Sequence, residues 1–147
     1  MSDSTAMEIL LVEDDPRDAE LALRALRAGK IANHITVARD GAEAVDILFG
    51  EASRRIAAPP KVILLDLKLP KVDGLEVLKR IKSDPRTKFI PVVVLTSSRE
   101  QNDIVESYRL GVNSYIVKPV DFEGFADAVQ KAGMYWLLLN QPPEGIE

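Results

Sequence analysis

Five short stretches of this chain are apolar almost without interruption. Each is followed by a longer stretch whose apolar residues recur every three or four positions. The five are Glu8-Ile9-Leu10-Leu11-Val12, Ile35-Thr36-Val37, Val62-Ile63-Leu64-Leu65, Pro91-Val92-Val93-Val94-Leu95 and Ser114-Tyr115-Ile116-Val117. Runs of this length, rich in β-branched residues, predict strands buried on both faces, as in a parallel sheet. The intervening stretches predict helices, and polar residues mark their ends. Asp15 caps a helix that has Pro16 at its first position, Ala19, Ala22, Leu23 and Leu26 on one stripe, and Gly29 as its stop. Asp40 and Glu43 have capping-box spacing ahead of Ala44, Val45, Leu48 and Phe49. Residues 50–60 read as a loop without evident chemistry. Asp73 and Glu76 open a third helix that buries Val77, Leu78 and Ile81 and ends at Ser83-Asp84-Pro85. A fourth, residues 99–110, has only Ile104, Val105, Tyr108 and Leu110 to bury before Gly111. A fifth opens at Asp121 and carries Phe122, Phe125, Ala126 and Val129. Strictly alternating strands and helices predict an α/β domain: a doubly wound, five-stranded parallel sheet with right-handed crossovers.

That architecture makes the residues just after each strand the candidates for chemistry, because parallel strands bring their C-terminal ends to one edge. The first strand ends at Glu13 and Asp14, the third at Asp66, the fourth at Thr96 and the fifth at Lys118. Asp66 stands alone in the otherwise apolar run Leu64-Leu65-Asp66-Leu67, and taken by itself it reads more readily as a helix cap than as a functional acid. Three carboxylates gathered at one edge repel one another unless a cation binds among them. A hard divalent ion such as Mg²⁺ suits an all-oxygen set of this kind. Such an ion and Lys118 together balance Glu13, Asp14 and Asp66, which leaves room for an anionic phosphoryl group. A carboxylate can serve as nucleophile toward that group, with cation, ammonium and hydroxyl holding its charge.

Composition narrows the partners. The chain has 147 residues, 46% of them hydrophobic, enough for one domain with a full core. A net charge of −4 argues against nucleic acid binding, which needs a basic face. There is no cysteine, hence no disulfide framework or thiolate chemistry. Neither a secretory signal nor an apolar run of about 20 residues is present, so a cytoplasmic protein without membrane contact is expected.

The ordered set of motifs resembles the receiver domains of two-component response regulators. It comprises Leu11-Val12-Glu13-Asp14-Asp15, Leu65-Asp66-Leu67-Lys68-Leu69-Pro70 with Asp73-Gly74, Leu95-Thr96, and Tyr115-Ile116-Val117-Lys118-Pro119. The resemblance implies a flavodoxin-like (βα)5 receiver fold and a signalling phosphoacceptor, not an enzyme acting on other substrates. It implies that Asp66 accepts a phosphoryl group from a sensor histidine kinase. Mg²⁺ would be held by Asp14, Asp66, the Lys68 backbone carbonyl and, directly or through water, Glu13. Thr96 and Lys118 would contact the phosphoryl group, Thr96 and Tyr115 would form the switch, and the Lys118-Pro119 bond would be cis. The first acid is Glu13 where many receivers have Asp. The segments 66–78, 83–87 and 111–115, the insertion at 50–60 and the ending Tyr135-Trp136-Leu137-Leu138-Leu139-Asn140 are similar to single-domain regulators that partner bacterial phytochrome kinases.

One receiver domain over residues 7–140 is expected, with tails 1–6 and 141–147 and no output domain. The competing enzyme class is a Mg²⁺-dependent phosphatase with an aspartate nucleophile. It would want a second Asp two residues after the first, where this chain has Lys68. His34, at the turn into the second strand, reads as an ordinary polar residue. The run Met134-Tyr135-Trp136-Leu137-Leu138-Leu139 is apolar all round and follows a helix whose core stripe is already supplied, which points to a symmetric homodimer built on the last helix and the Trp136 segment; the alternative is a run folded back over the sheet edge of a monomer.

Overall fold

The computed structural model describes residues 7–31, 34–50, 59–119 and 121–141. Within them, strands and helices alternate: β1 (Ile9–Val12), α1 (Pro16–Ala28), β2 (Ile35–Ala38), α2 (Gly41–Phe49), β3 (Val62–Leu65), α3 (Gly74–Ser83), β4 (Val92–Thr96), α4 (Gln101–Leu110), β5 (Ser114–Val117) and α5 (Phe122–Gly133). The sheet is parallel throughout, in the order β2-β1-β3-β4-β5. It is the doubly wound parallel sheet that the alternation predicts. Among the described residues no helix is long and apolar enough to cross a membrane.

Why the strands read as continuous apolar runs is plain from the two cores. Leu10, Val12, Ile63, Leu65, Val92 and Val94 pack with residues of α2 and α3, among them Ala44, Leu48, Val77, Leu78 and Ile81. Their neighbours Ile9, Leu11, Val62, Leu64, Val93 and Leu95 point the other way, onto Ala19, Ala22 and Leu26 of α1 and Phe125 and Val129 of α5. Alternate side chains therefore meet helices on opposite faces.

Helix starts follow the predicted caps with one rearrangement. Asp15 accepts from the amides of Arg17 and Asp18, and Asp121 accepts from Gly124. At α2, Asp40 accepts from the Glu43 amide at 2.7 Å, but the returning Glu43 carboxylate takes the Arg39 amide, also at 2.7 Å. Asp73 accepts from Leu75.

Three expectations need correction. Val105 and Tyr108 of α4 are 43% and 54% exposed, and the buried residue of that helix is Ser107. An apolar stripe this sparse cannot pull the whole helix against the sheet. The Lys118-Pro119 bond is trans, since no cis peptide occurs among the described residues; the ordinary trans preference of about 0.5–1 kcal/mol holds here. Finally, the run 134–139 is not left wholly outside. It forms a wide π-type turn, Met134–Leu139, whose Trp136 and Leu137 pack on the α1/α5 core while Met134, Tyr135, Leu138 and Leu139 stay exposed. Residues 51–58 of the long loop and the tails 1–6 and 142–147 lie outside the described residues, as does the Phe122 side chain.

A close backbone contact that bears directly on Asp66 is at Gly74, the first residue of α3. A Cβ there would stand 2.4 Å from the Leu67 Cα and 2.5 Å from the Asp66 carbonyl oxygen. The Gly74 amide also donates to the Leu67 carbonyl at 3.0 Å. The start of α3 is thus pressed onto the backbone that carries Asp66. Gly74→Ala should push the two apart and destabilise the fold by about 1–3 kcal/mol, the usual cost of overpacking; a denaturant midpoint equal to wild type would show that the contact is soft.

Candidate functional site

Sheet register brings the predicted residues together. Val12 pairs with Leu65, and Thr96 pairs with Val117. The ladder continues one step past the strands: the Glu13 amide donates to Ala38, Asp66 to Val12 and Lys118 to Thr96, at 2.8–3.0 Å. Backbone hydrogen bonds therefore fix the Cα positions of the acids and the lysine before any side-chain interaction acts.

The side chains converge on one ammonium. Lys118 Nζ lies 2.8 Å from Glu13 Oε1, 2.8 Å from Asp18 Oδ2 and 3.1 Å from Asp66 Oδ2. Its three N–H groups thus have three carboxylate partners. Glu13 is 3% exposed and Asp66 7%, whereas Asp14 is exposed. Burial pushes the Glu13 carboxyl up to about 7; the Asp66 charge adds to the rise, and the bond from Lys118 opposes it. For Lys118, burial alone would favour the neutral amine. The bonds to Asp18 and Glu13 and the charges of Glu13 and Asp66 outweigh it and hold the ammonium above the ordinary lysine range.

Carboxylate oxygens of Glu13, Asp14 and Asp66 lie within 4.8 Å of one another, as divalent-ion ligands would. All donors are oxygens, and Asp14 opens to solvent, so the set fits a hard cation that keeps waters. Lys68 sits in the turn beyond Asp66, and its amide donates to Asp66 Oδ1 at 3.3 Å.

Thr96 is fully buried at the end of β4, and its hydroxyl accepts from the Ser98 amide at 3.4 Å. Tyr115, half-buried against the α2/α3 core, donates its hydroxyl to the Ser98 carbonyl at 3.1 Å. Burial raises the Tyr115 pKa. His34 is exposed at the start of β2, and its carbonyl accepts the Glu8 amide at the opposite edge of the sheet.

Two features went unseen in the sequence. Asp18 faces the site from the first turn of α1, although its place one helical turn after Asp14 was a usable signal. Asp103 of α4 accepts from Ser98 Oγ at 2.5 Å and from Lys68 Nζ at 3.3 Å, which joins the turn after Asp66 to α4. The Ser98 bond, with help from Lys68, lowers the Asp103 pKa.

A five-stranded doubly wound sheet with acids, a threonine and a lysine at its carboxyl edge defines a receiver of the two-component kind. The family described as response regulator receiver domain matches residues 9–130, and the chain belongs to it. Response regulator Rcp1 of Synechocystis is 41% identical over 129 residues, covering 88% of each protein. Its Mn²⁺-bound crystal structure superposes with a TM-score of 0.85 at 39% identity, covering 93% of this chain and 99% of that one. The bacteriophytochrome response regulator AtBRR is 55% identical with a TM-score of 0.71, covering 92% of this chain and 99% of its own. The phosphorylated cyanobacterial phytochrome response regulator RcpA gives 41% and 0.87, covering 95% and 100%. The protein is a response regulator, homologous to regulators of phytochrome signalling.

Glu13 must be ionised for the acidic cluster to carry its full charge. Below pH 7 the affinity for a divalent ion should therefore fall about tenfold per pH unit, as one proton is displaced on binding. Calorimetric titration with MnCl₂ between pH 5.5 and 8 checks this; a flat profile would remove Glu13 from the site.

Proposed function

We propose that Asp66 is the phosphoryl acceptor and that a phytochrome-type sensor histidine kinase is the donor. The observation that carries this reading is the buried Asp66 carboxylate held 3.1 Å from Lys118 Nζ, beside Glu13 and Asp14, at the carboxyl edge of the sheet. In the reaction one Asp66 oxygen forms a bond to phosphorus while the P–N bond of phosphohistidine breaks. The electron pair returns to the imidazole, which takes a proton from solvent. Lys118 and the Thr96 hydroxyl bond the phosphoryl oxygens as charge spreads over them. Asp14, Asp66, the Lys68 carbonyl and, directly or through water, Glu13 would hold a divalent ion, Mg²⁺ on the strength of the oxygen-only donors, and when bound it would supply positive charge against the transferring group.

Thr96 and Tyr115 then carry the state of the site outward. Both are tied to Ser98, through its amide and its carbonyl, so a shift of Thr96 toward a phosphoryl group moves the anchor of the Tyr115 hydroxyl. The kinase partner is inferred from the receiver family and from the phytochrome regulators at 41% and 55% identity. We further read residues 7–140 as a single cytoplasmic signalling domain that works through protein contacts, without nucleic acid or membrane. The phosphatase alternative is not favoured, because Lys68 occupies the position of its second acid.

A homodimer completes the reading. Exposed Met134, Tyr135, Leu138 and Leu139 continue directly from the half-exposed α5, and Val105 and Tyr108 of α4 are further exposed apolar side chains. Apolar surface gathered in this way favours a second copy.

Incubation with acetyl phosphate and Mg²⁺ should add one phosphoryl group, stable in acid for minutes and released by hydroxylamine. Asp66→Asn should abolish labelling, and equal labelling of that variant would refute the assignment. Asp14→Ala should lower labelling at least tenfold while leaving the metal-free protein no less stable, since like charge is removed. Sedimentation of the unphosphorylated protein at micromolar concentration should give a dimer that Leu138→Glu dissociates; a monomer in both cases would sink the assembly.

A further inference from the structure

Lys118 has more acidic company than phosphoryl chemistry requires. Its three N–H groups are matched by Glu13, Asp66 and Asp18, at 2.8, 3.1 and 2.8 Å, which leaves no donor for a phosphoryl oxygen. An incoming phosphoryl group must take one of those places. The three carboxylates differ in what their release costs. Glu13 and Asp66 side chains are 4% and 9% exposed, whereas the Asp18 side chain is 28% exposed. Releasing a buried carboxylate strands a charge away from water, while a partly hydrated one gives up its partner cheaply. Room for that movement is present. Asp18 and Lys118 together line an open cavity of about 290 Å³ between α1 and the turns after β4 and β5, with Arg17, Ser97 and Asp121.

Charge points the same way. With Glu13, Asp14, Asp66 and Asp18 ionised, one divalent ion and Lys118 leave the site one unit negative before the phosphoryl donor, itself an anion, arrives. Asp18 supplies that excess unit. Its backbone is already committed, because the Asp18 amide donates to the Asp15 cap at 3.3 Å in the first turn of α1. The side chain is therefore held at the site edge by helix geometry.

We propose that Asp18 is a positioning residue that tethers Lys118 in the unphosphorylated protein and competes with the phosphoryl group for its ammonium. This rests on Asp66 being the acceptor. The tether sets two properties of the reaction: how well an anionic donor is admitted, and how firmly Lys118 stays on the phosphoryl group afterwards. It acts through Lys118 and does not touch the reacting atoms.

The test is phosphorylation kinetics with acetyl phosphate and Mg²⁺ on the full chain, comparing wild type with Asp18→Asn, Asp18→Ser and Asp18→Glu. The two neutral variants should lower KM for acetyl phosphate severalfold with kcat within twofold, and lengthen the half-life of the phosphorylated form severalfold. Asp18→Glu, which keeps the charge, should return both toward wild type. Two neutral variants are read together, with circular dichroism confirming their fold, so the result does not hang on one substitution. Unchanged KM and half-life, or slower labelling, in neutral variants of a wild type that labels on Asp66 would overturn the tether alone. A wild type that does not label on Asp66 would overturn the acceptor assignment and the tether with it.

Discussion

One ammonium surrounded by carboxylates is the constraint on which the site depends. Taken separately, Glu13, Asp18 and Asp66 are acids that would each be more comfortable in water. Gathered at one edge of a parallel sheet, they are tolerable because Lys118 gives each of them an N–H at 2.8–3.1 Å. The balance is incomplete. Glu13, the most buried of them, has its carboxyl pushed up to about 7, so burial is not fully offset by the lysine. An edge that is still short of positive charge is suited to a divalent cation, and the oxygen-only donor set fits that cation's chemistry.

The fold supplies what side chains cannot. Glu13, Asp66 and Lys118 each sit one residue beyond a strand, and in each case the ladder reaches past the strand to hold the amide. A shift of one residue in any pairing would turn an acid into the core and an apolar residue into the site. The approach of Gly74 to Leu67 and the Asp66 carbonyl fixes the turn from the other side. Both contacts are made by backbone, and neither depends on the charge state of the site. Geometry can therefore persist while cations and phosphoryl groups come and go.

How much of this was legible follows from which forces act locally. Strands β3 and β4 were readable because burial on both faces demands unbroken apolar runs. The α1, α2 and α5 starts were readable because Asp15, Asp40 and Asp121 satisfy amides within their own turn. The acids, Thr96 and Lys118 were readable as a set once parallel topology placed strand ends together. Asp18 was not, because a helix-first-turn aspartate has a sufficient local explanation in the helix dipole, and its bond to Lys118 spans 100 residues of sequence. The exposure of Val105 and Tyr108 was missed for a related reason. Apolar residues on a helix predict burial only when enough of them share a stripe, and α4 has too few.

Strand β5 joins the site to the exposed end of the molecule. It is an edge strand, four residues long, and each residue has a distinct duty. Tyr115 packs on the α2/α3 core and reaches Ser98; Ile116 packs on the α1/α5 core; Val117 pairs with Thr96 and leads into Lys118. At its other end the Ser114 hydroxyl accepts from Trp136 Nε1 at 3.3 Å, which ties down the turn that presents Met134, Tyr135, Leu138 and Leu139 to solvent. With β4 on one side only, β5 is bound by a single ladder, so its displacement costs fewer backbone hydrogen bonds than that of any interior strand. The same short strand ends in the lysine that holds the acids together and begins at the hydroxyl that anchors the exposed apolar turn. Any change in the carboxylate partners of Lys118 is therefore felt along a strand held by a single ladder, four residues from the hydroxyl that anchors the exposed apolar turn.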